Sequence, residues 1–326
     1  MLTAVVALLS ILTCSVQTRA AETTYGAFGP EGMRMREQLW ILPSADKTVA
    51  LRATVFRPAE TGSQDSDGAQ RQRPLVVINH GSDDSTRIAV AMPVYYWLSR
   101  WFVERGYVVV IPQRRGYGAT GGVLAESIGT CENPDHYASG LAAADDIASA
   151  IDFMSQQSFV DPANTLVAGI SSGGWASLAL AARNPHSVKA IVNFAGGRGG
   201  HAHGRLNEIC AAEKLRRAAR DYGAKARIPT IWFYADNDSY FAPGVAQMLA
   251  QAWSEGGGLV EAHILRAYGA DGHSLADDRA GWDLWGDNLD DFISRLSAPP
   301  AEVSSNTVQP IIEANPVSVS SAGAVK

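Results

Sequence analysis

The sequence predicts one α/β domain built on a mostly parallel sheet with helices on both faces. Short apolar runs recur along the chain at 75–78, 107–111, 166–170, 188–194, 228–234 and 259–265. Helical patterns fall between or after them, near 91–104, 137–156, 174–184, 241–255 and 279–296. The runs are apolar throughout, as strands buried on both faces require. Right-handed crossovers then gather the C-terminal strand ends on one edge, where ligands bind in such sheets.

Taken in order, residues 1–20 read as a secretory leader: 2–16 are apolar, and Thr18-Arg19-Ala20 offers a small-residue cleavage site. The apolar stretch is too short and too interrupted for a membrane span. The expected compartment is therefore secreted or periplasmic. Residues 35–56 alternate and predict a short antiparallel lead-in, and 59–73 is a polar loop. The segment 196–226 is long for a connection between strands and reads as a short cap over the site. Residues 298–326, rich in Ser, Ala, Pro and Val without periodicity, read as a disordered tail. The domain proper spans 21–297.

A net charge of −6 and a pI near 5.6, with no basic run, argue against a nucleic-acid partner. Oligomeric state is not legible. Cleavage of the leader would remove Cys14 and leave Cys131 and Cys210. In an exported chain such a pair suggests a disulfide, with two unpaired thiols as the alternative.

Gly169-Ile170-Ser171-Ser172-Gly173 carries the most chemical information. It fits G-x-S-x-G at a strand-to-helix turn, where glycines let neighbouring backbone approach and the serine hydroxyl stands above the sheet. Ser171 is the candidate nucleophile. A serine needs a base and a group to orient that base. Asp236 and Asp238 follow the apolar run ending at 234, and Asp271-Gly272-His273 follows the run ending at 265. Both groups fall beyond strand ends, on the edge predicted for Ser171, in the order serine, acid, histidine.

These residues, with His80-Gly81-Ser82 and the stretch 115–122 (RGYGATGG), resemble the serine α/β-hydrolase superfamily. The similarity is to its dienelactone-hydrolase-like and prolyl-oligopeptidase-like members, and it spans 74–275. It implies the α/β-hydrolase fold and a triad of Ser171, Asp238 and His273, with Asp236 as the alternative acid. Asp238 matches the end of the family's G-x-x-D, although Ala235 replaces the glycine. An oxyanion hole is implied from the backbone N–H groups of Ser172 and Ser82. Two departures stand out. Dienelactone hydrolases use a cysteine nucleophile, and prolyl oligopeptidases carry a propeller domain before the hydrolase. The expectation is hydrolysis of a small-molecule ester without a cofactor, with a small peptidase or a silent binding scaffold as alternatives.

The remaining signals have plainer readings. His80 and His263 are expected to be structural, and His136 and His186 solvated. His201 and His203 lack a carboxylate or cysteine at ligand spacing, so no metal is expected. Arg114 and Arg115 are expected in structural ion pairs, Asp145 and Asp146 on a polar helix face, and Trp282 and Trp285 in the core.

Overall fold

The computed structural model describes residues 23–59, 71–82 and 87–296. The leader and tail read above lie outside the described residues, as does most of the 59–73 loop. The strands are β1 (Gly26–Phe28), β2 (Gln38–Pro43), β3 (Ala50–Phe56), β4 (Arg73–Asn79), β5 (Val108–Gln113), β6 (Val160–Ile170), β7 (Val188–Phe194), β8 (Thr230–Ala235) and β9 (Val260–Leu265). They form one sheet in the order β1-β2-β3-β5-β4-β6-β7-β8-β9. Strands β4 to β9 run parallel, and β1 to β3 form an antiparallel flank joined to β5. The helices are α1 (Tyr96–Glu104), α2 (His136–Met154), α3 (Ser172–Ala181), α4 (Ala212–Lys225), α5 (Pro243–Glu255) and α6 (Trp282–Leu296).

The continuous apolar runs become two cores because successive side chains leave a strand on opposite faces. Leu75, Val77, Val108, Val110 and Val167 point to one face, where α2 to α5 cover them. Val76, Ile78, Val109, Ile111, Leu166 and Ala168 point to the other, under Trp101 of α1 and Trp285, Leu289 and Phe292 of α6. Trp285 is in the core as expected, and its indole N–H donates to Leu275 O at 3.2 Å. Helix α3 has no polar face: all ten residues are buried, and its Ala, Gly and Ser content lets it lie close against the sheet.

Chain order reverses about β4. From β4 the chain moves outward to β5, then crosses back to β6 on the other side of β4. The loops after β4 and β6 therefore diverge and leave a crevice, the general position for a site in open α/β sheets. Register brings the candidate residues together there. Asn79 pairs with Gly169, and Gly169 with Asn193, so the segments beginning at His80, Ser171 and Ala195 leave the sheet side by side. Ala235 pairs with Leu265, which places the loops carrying Asp238 and His273 next to each other.

The 196–226 segment is not a cap throughout. Residues 212–225 form α4, the crossover helix between β7 and β8, which buries Leu215, Ala218, Ala219 and Tyr222 and packs on α2 and α5. Only 196–211 remains at the mouth of the site. It is tied down by a Cys131–Cys210 disulfide. Among the described residues, no helix is long and apolar enough to cross a membrane.

Candidate active site

Ser171 lies between the last residue of β6 and the first of α3, with φ 55° and ψ −123°. Such a backbone costs on the order of 1–3 kcal/mol and persists only when its surroundings hold it. The surroundings do hold it. Ser171 N–H donates to Phe194 O at 3.0 Å, and Ser171 O accepts from Gly197 N at 3.2 Å and Trp175 N at 3.0 Å. Asn79 Nδ2 donates to Ser177 Oγ at 2.9 Å, and that hydroxyl donates to Gly173 O at 2.8 Å. The motif's glycines answer to space. A Cβ on Gly169 would lie 2.3 Å from Gly173 O, and one on Gly173 would lie 2.2 Å from Asn79 O.

The loop after β4 presses on this turn. A Cβ on Gly81 would sit 3.3 Å from Ser171 Cβ, and Ser82 shares a cleft with Ser171. Ser172 opens α3, where first-turn N–H groups have no intrahelical acceptor. Ser82 thus shares the cleft with Ser171, and Ser172 follows it at the start of α3.

The acid and base candidates meet. His273 Nδ1 lies 3.1 Å from both carboxylate oxygens of Asp238. Asp238 is buried, and its Oδ1 also accepts from the backbone N–H groups of Tyr240 at 2.8 Å and Phe241 at 2.9 Å. Asp236 is exposed, with its backbone N–H committed to Leu265 O. The Ala235 methyl occupies the space that a Cβ on Gly272 would need, at 2.4 Å, so the missing glycine is matched by one in the facing loop. Asp271 ties the two loops: it accepts from His273 N at 3.0 Å, Ser239 N at 3.1 Å and Ser239 Oγ at 2.6 Å. The His273 ring stacks on Tyr240 at 4.2 Å and lies 5.8 Å from Phe241. Tyr240 and Phe241 line the same cleft of about 310 Å³ as Ser171.

The other histidines divide differently from the sequence expectation. His80 is buried; its Nε2 accepts from Arg114 N at 3.1 Å and its Nδ1 bonds Gly81 O at 2.7 Å. Burial first, and then the Arg114 charge, push it down to about 3, so it is neutral and structural. His136 is not solvated: it is buried, and its Nε2 bonds Cys210 O at 2.8 Å, because that carbonyl crosses the start of α2. His186 is exposed, and His263 bonds Glu261 at 2.9 Å. His201 stacks on Tyr240 at 3.6 Å and bonds Ser239, and His203 lies near Cys131. No group of three or more potential metal ligands occurs among the described residues.

Arg114 and Arg115 make ion pairs beneath the site. Arg115 holds buried Asp146 at 2.8 Å and Asp46 at 2.5 Å, while Asp145 pairs with Arg183 at 2.7 Å. Arg114 holds Glu126 at 2.6 Å, and Tyr117 Oη donates to Glu126 at 2.9 Å. Glu126 had no signal in the sequence, since its partners lie far from it in irregular chain. Arg198, which also reaches Glu126, had one: it is the single charged residue within Gly196-Gly197-Arg198-Gly199-Gly200.

A sequence model of the prolyl oligopeptidase family matches residues 93–197. Solved structures with the same fold include the Porphyromonas gingivalis dipeptidyl peptidase 4, at 16% identity and a TM-score of 0.57, covering 80% of this chain and 35% of that one. The Pyrococcus horikoshii acylaminoacyl peptidase matches at 15% identity and 0.57, covering 86% and 43%. A Klebsiella pneumoniae protein described as a dienelactone hydrolase matches at 16% and 0.51, covering 79% and 98%. The chain spans less than half the length of each of these two peptidases. The chain has the α/β-hydrolase fold and is similar to the prolyl-oligopeptidase and dienelactone-hydrolase groups.

Proposed function

We propose that the chain hydrolyses carboxylic esters through an acyl-enzyme formed on Ser171. The observation that carries this reading is the contact of His273 Nδ1 with both oxygens of buried Asp238, together with a serine held on a strained turn at the end of β6. With Nδ1–H donated to Asp238, the Nε2 lone pair is the basic one. Ser171 Oγ adds to the carbonyl carbon as His273 Nε2 takes its proton. The N–H groups of Ser172 and Ser82 receive the oxyanion. The C–O bond to the alcohol then breaks, and His273 returns the proton to the leaving oxygen. Water repeats the sequence, releasing the acid and restoring Ser171.

The correspondence with nearly the whole length of the Klebsiella protein supports an ester substrate. The open mouth, walled by a short glycine loop, favours short or compact acyl groups over long lipid chains. The match to the prolyl oligopeptidase family favours a second reading, a peptidase or amidase using the same three residues. A panel of p-nitrophenyl esters and aminoacyl anilides separates them. We expect turnover of acetate and butyrate esters to exceed that of every anilide; a preferred anilide would replace the ester reading with the second. Export is part of the proposal, since a Cys131–Cys210 bond suits an oxidising compartment.

A further inference from the structure

The 196–211 segment carries a histidine where its backbone would sit most easily as glycine. Gly196, Gly197, Gly199 and Gly200 open the segment, yet the next residue is His201, with φ 56° and ψ 39°. That is the left-handed region, which glycine enters without steric cost and a residue with a side chain does not. A strained position that keeps a large side chain points to a use for that side chain. Backbone contacts hold the turn: Gly204 N donates to His201 O at 2.9 Å, and Asn207 N donates to Ser239 O at 2.8 Å.

Two routes run from His201 to His273. The first is through rings. The His201 imidazole stacks on Tyr240, with centroids 3.6 Å apart and planes at 12°. Tyr240 also stacks on His273, at 4.2 Å and 29°. Two rings cannot share one face of a phenol at those distances, so Tyr240 lies between the two histidines. A Cβ on Gly200 would come to 3.0 Å from Tyr240, which accounts for the glycine just before His201. The second route is polar. His201 Nε2 lies 3.0 Å from Ser239 O and 3.1 Å from Ser239 Oγ. Ser239 Oγ donates its own hydrogen to Asp271 Oδ2 at 2.6 Å. Both Ser239 oxygens can therefore only accept from His201, and Nε2 carries the hydrogen. Asp271 in turn accepts from His273 N at 3.0 Å.

Asp238 grips the His273 ring at one edge only, with both oxygens 3.1 Å from Nδ1. Such a contact leaves the imidazole able to rock about the Nδ1–carboxylate direction. A ring pressed on its face prevents rocking, provided that ring is itself backed. Tyr240 is anchored by its backbone N–H on Asp238 Oδ1 at 2.8 Å, and its far face rests on His201. We propose that His201 is a positioning residue for the base: by backing Tyr240 it holds the His273 ring, and with it Nε2, in the direction that proton transfer requires. A general base works only from a held geometry. This inference rests on the reading above of His273 as base, and not on the choice of an ester as substrate.

The test compares His201→Gly, His201→Phe and His201→Gln with the parent chain. It reads the rate of fluorophosphonate labelling at Ser171, kcat and KM for p-nitrophenyl acetate, and thermal melts. In His201→Gly, relief of the left-handed backbone offsets the lost stack, so the melting temperature should change little. Its labelling rate and kcat should nevertheless fall about 10- to 100-fold, with KM nearly unchanged. His201→Phe keeps the stack without the hydrogen bond and should recover most of the rate. His201→Gln keeps a donor without the stack and should not. Unchanged labelling in His201→Gly would overturn the proposal. So would recovery by glutamine, or no recovery by phenylalanine, since either would deny the stack its role. If His201→Gly melts well below the parent, the ranking of phenylalanine over glutamine decides alone. Labelling that follows the predicted ranking in a chain that turns over no p-nitrophenyl ester would remove the ester reading and leave this one.

Discussion

Asp238→Asn separates the geometry described here from its alternatives more sharply than any other single substitution. Oδ1 of Asp238 is committed to two backbone donors, at 2.8 and 2.9 Å, while both oxygens face His273 Nδ1 at 3.1 Å. An asparagine has one acceptor oxygen and one NH₂ group. The two backbone N–H groups demand the oxygen, which leaves the NH₂ facing the imidazole. Two donors cannot share that contact, so His273 must present an unprotonated Nδ1 and carry its hydrogen on Nε2. The nitrogen that should accept the Ser171 proton is then blocked. Loss of the correct tautomer typically lowers turnover by about 10⁴, or about 5 kcal/mol of barrier. The assay is turnover of p-nitrophenyl acetate by Asp238→Asn and Asp236→Asn, with circular dichroism to verify the fold. Asp236 is exposed, and its substitution should change the rate by less than tenfold. A folded Asp238→Asn protein within tenfold of the parent, or an equal loss for Asp236→Asn, would refute the assignment.

Three further outcomes are expected. Stability should fall in acid: His80, at about 3 in the folded chain against an ordinary 6.5, binds its proton more readily when unfolded, so its contribution is complete above about 6.5 and is lost as pH drops toward 3. Glu126, held near 2 with Arg114 and Arg198 opposing its burial, adds a loss in the same direction below about 4.5. Urea midpoints measured at pH 8, 6 and 4 should decline, and a flat series would contradict the buried network. Gly173→Ala should destabilise by several kcal/mol or prevent folding, because its Cβ would meet Asn79 O at 2.2 Å and His80 O at 2.4 Å, whereas Gly244→Ala on α5 meets nothing within 4 Å and should be neutral or slightly stabilising in thermal melts. Replacing Cys131 and Cys210 by serine should lower stability by about 4–5 kcal/mol on the chain-entropy account of a 79-residue separation, read as a lower urea midpoint; an unchanged midpoint would show that the link constrains little.

Much of the fold was legible because burial on both faces writes itself as continuous apolar runs, and each predicted run lies largely within one of β4 to β9. The start of β6 was hidden by Asp161-Pro162-Ala163-Asn164, which break the apolar run although the strand begins at Val160. Helix α4 was read as part of a cap because 196–226 is long for a connection between strands; its buried stripe of Leu215, Ala218, Ala219 and Tyr222 is what makes it a crossover helix. The candidate site was legible in outline because each part sits beyond a strand end, and strand ends can be found from composition. Ser171, Asp238 and His273 lie beyond strand ends; the resemblance favoured Asp238 over Asp236, and the structure adds that Asp238 is buried against His273 while Asp236 is exposed, a difference that spacing cannot supply. His136 and Glu126 were missed for one reason. Their partners, the Cys210 carbonyl and the Arg114 and Arg198 guanidinium groups, are brought near by the fold and not by sequence spacing.

The central claim is that Ser171 is a nucleophile activated by His273. Covalent labelling of the intact chain with a fluorophosphonate, followed by peptide mapping, tests it most directly. The account predicts one labelled site at Ser171, lost in Ser171→Ala and slowed by orders of magnitude in His273→Ala, while Ser172→Ala still labels. Labelling that persisted in Ser171→Ala, or that disappeared only in Ser172→Ala, would contradict it.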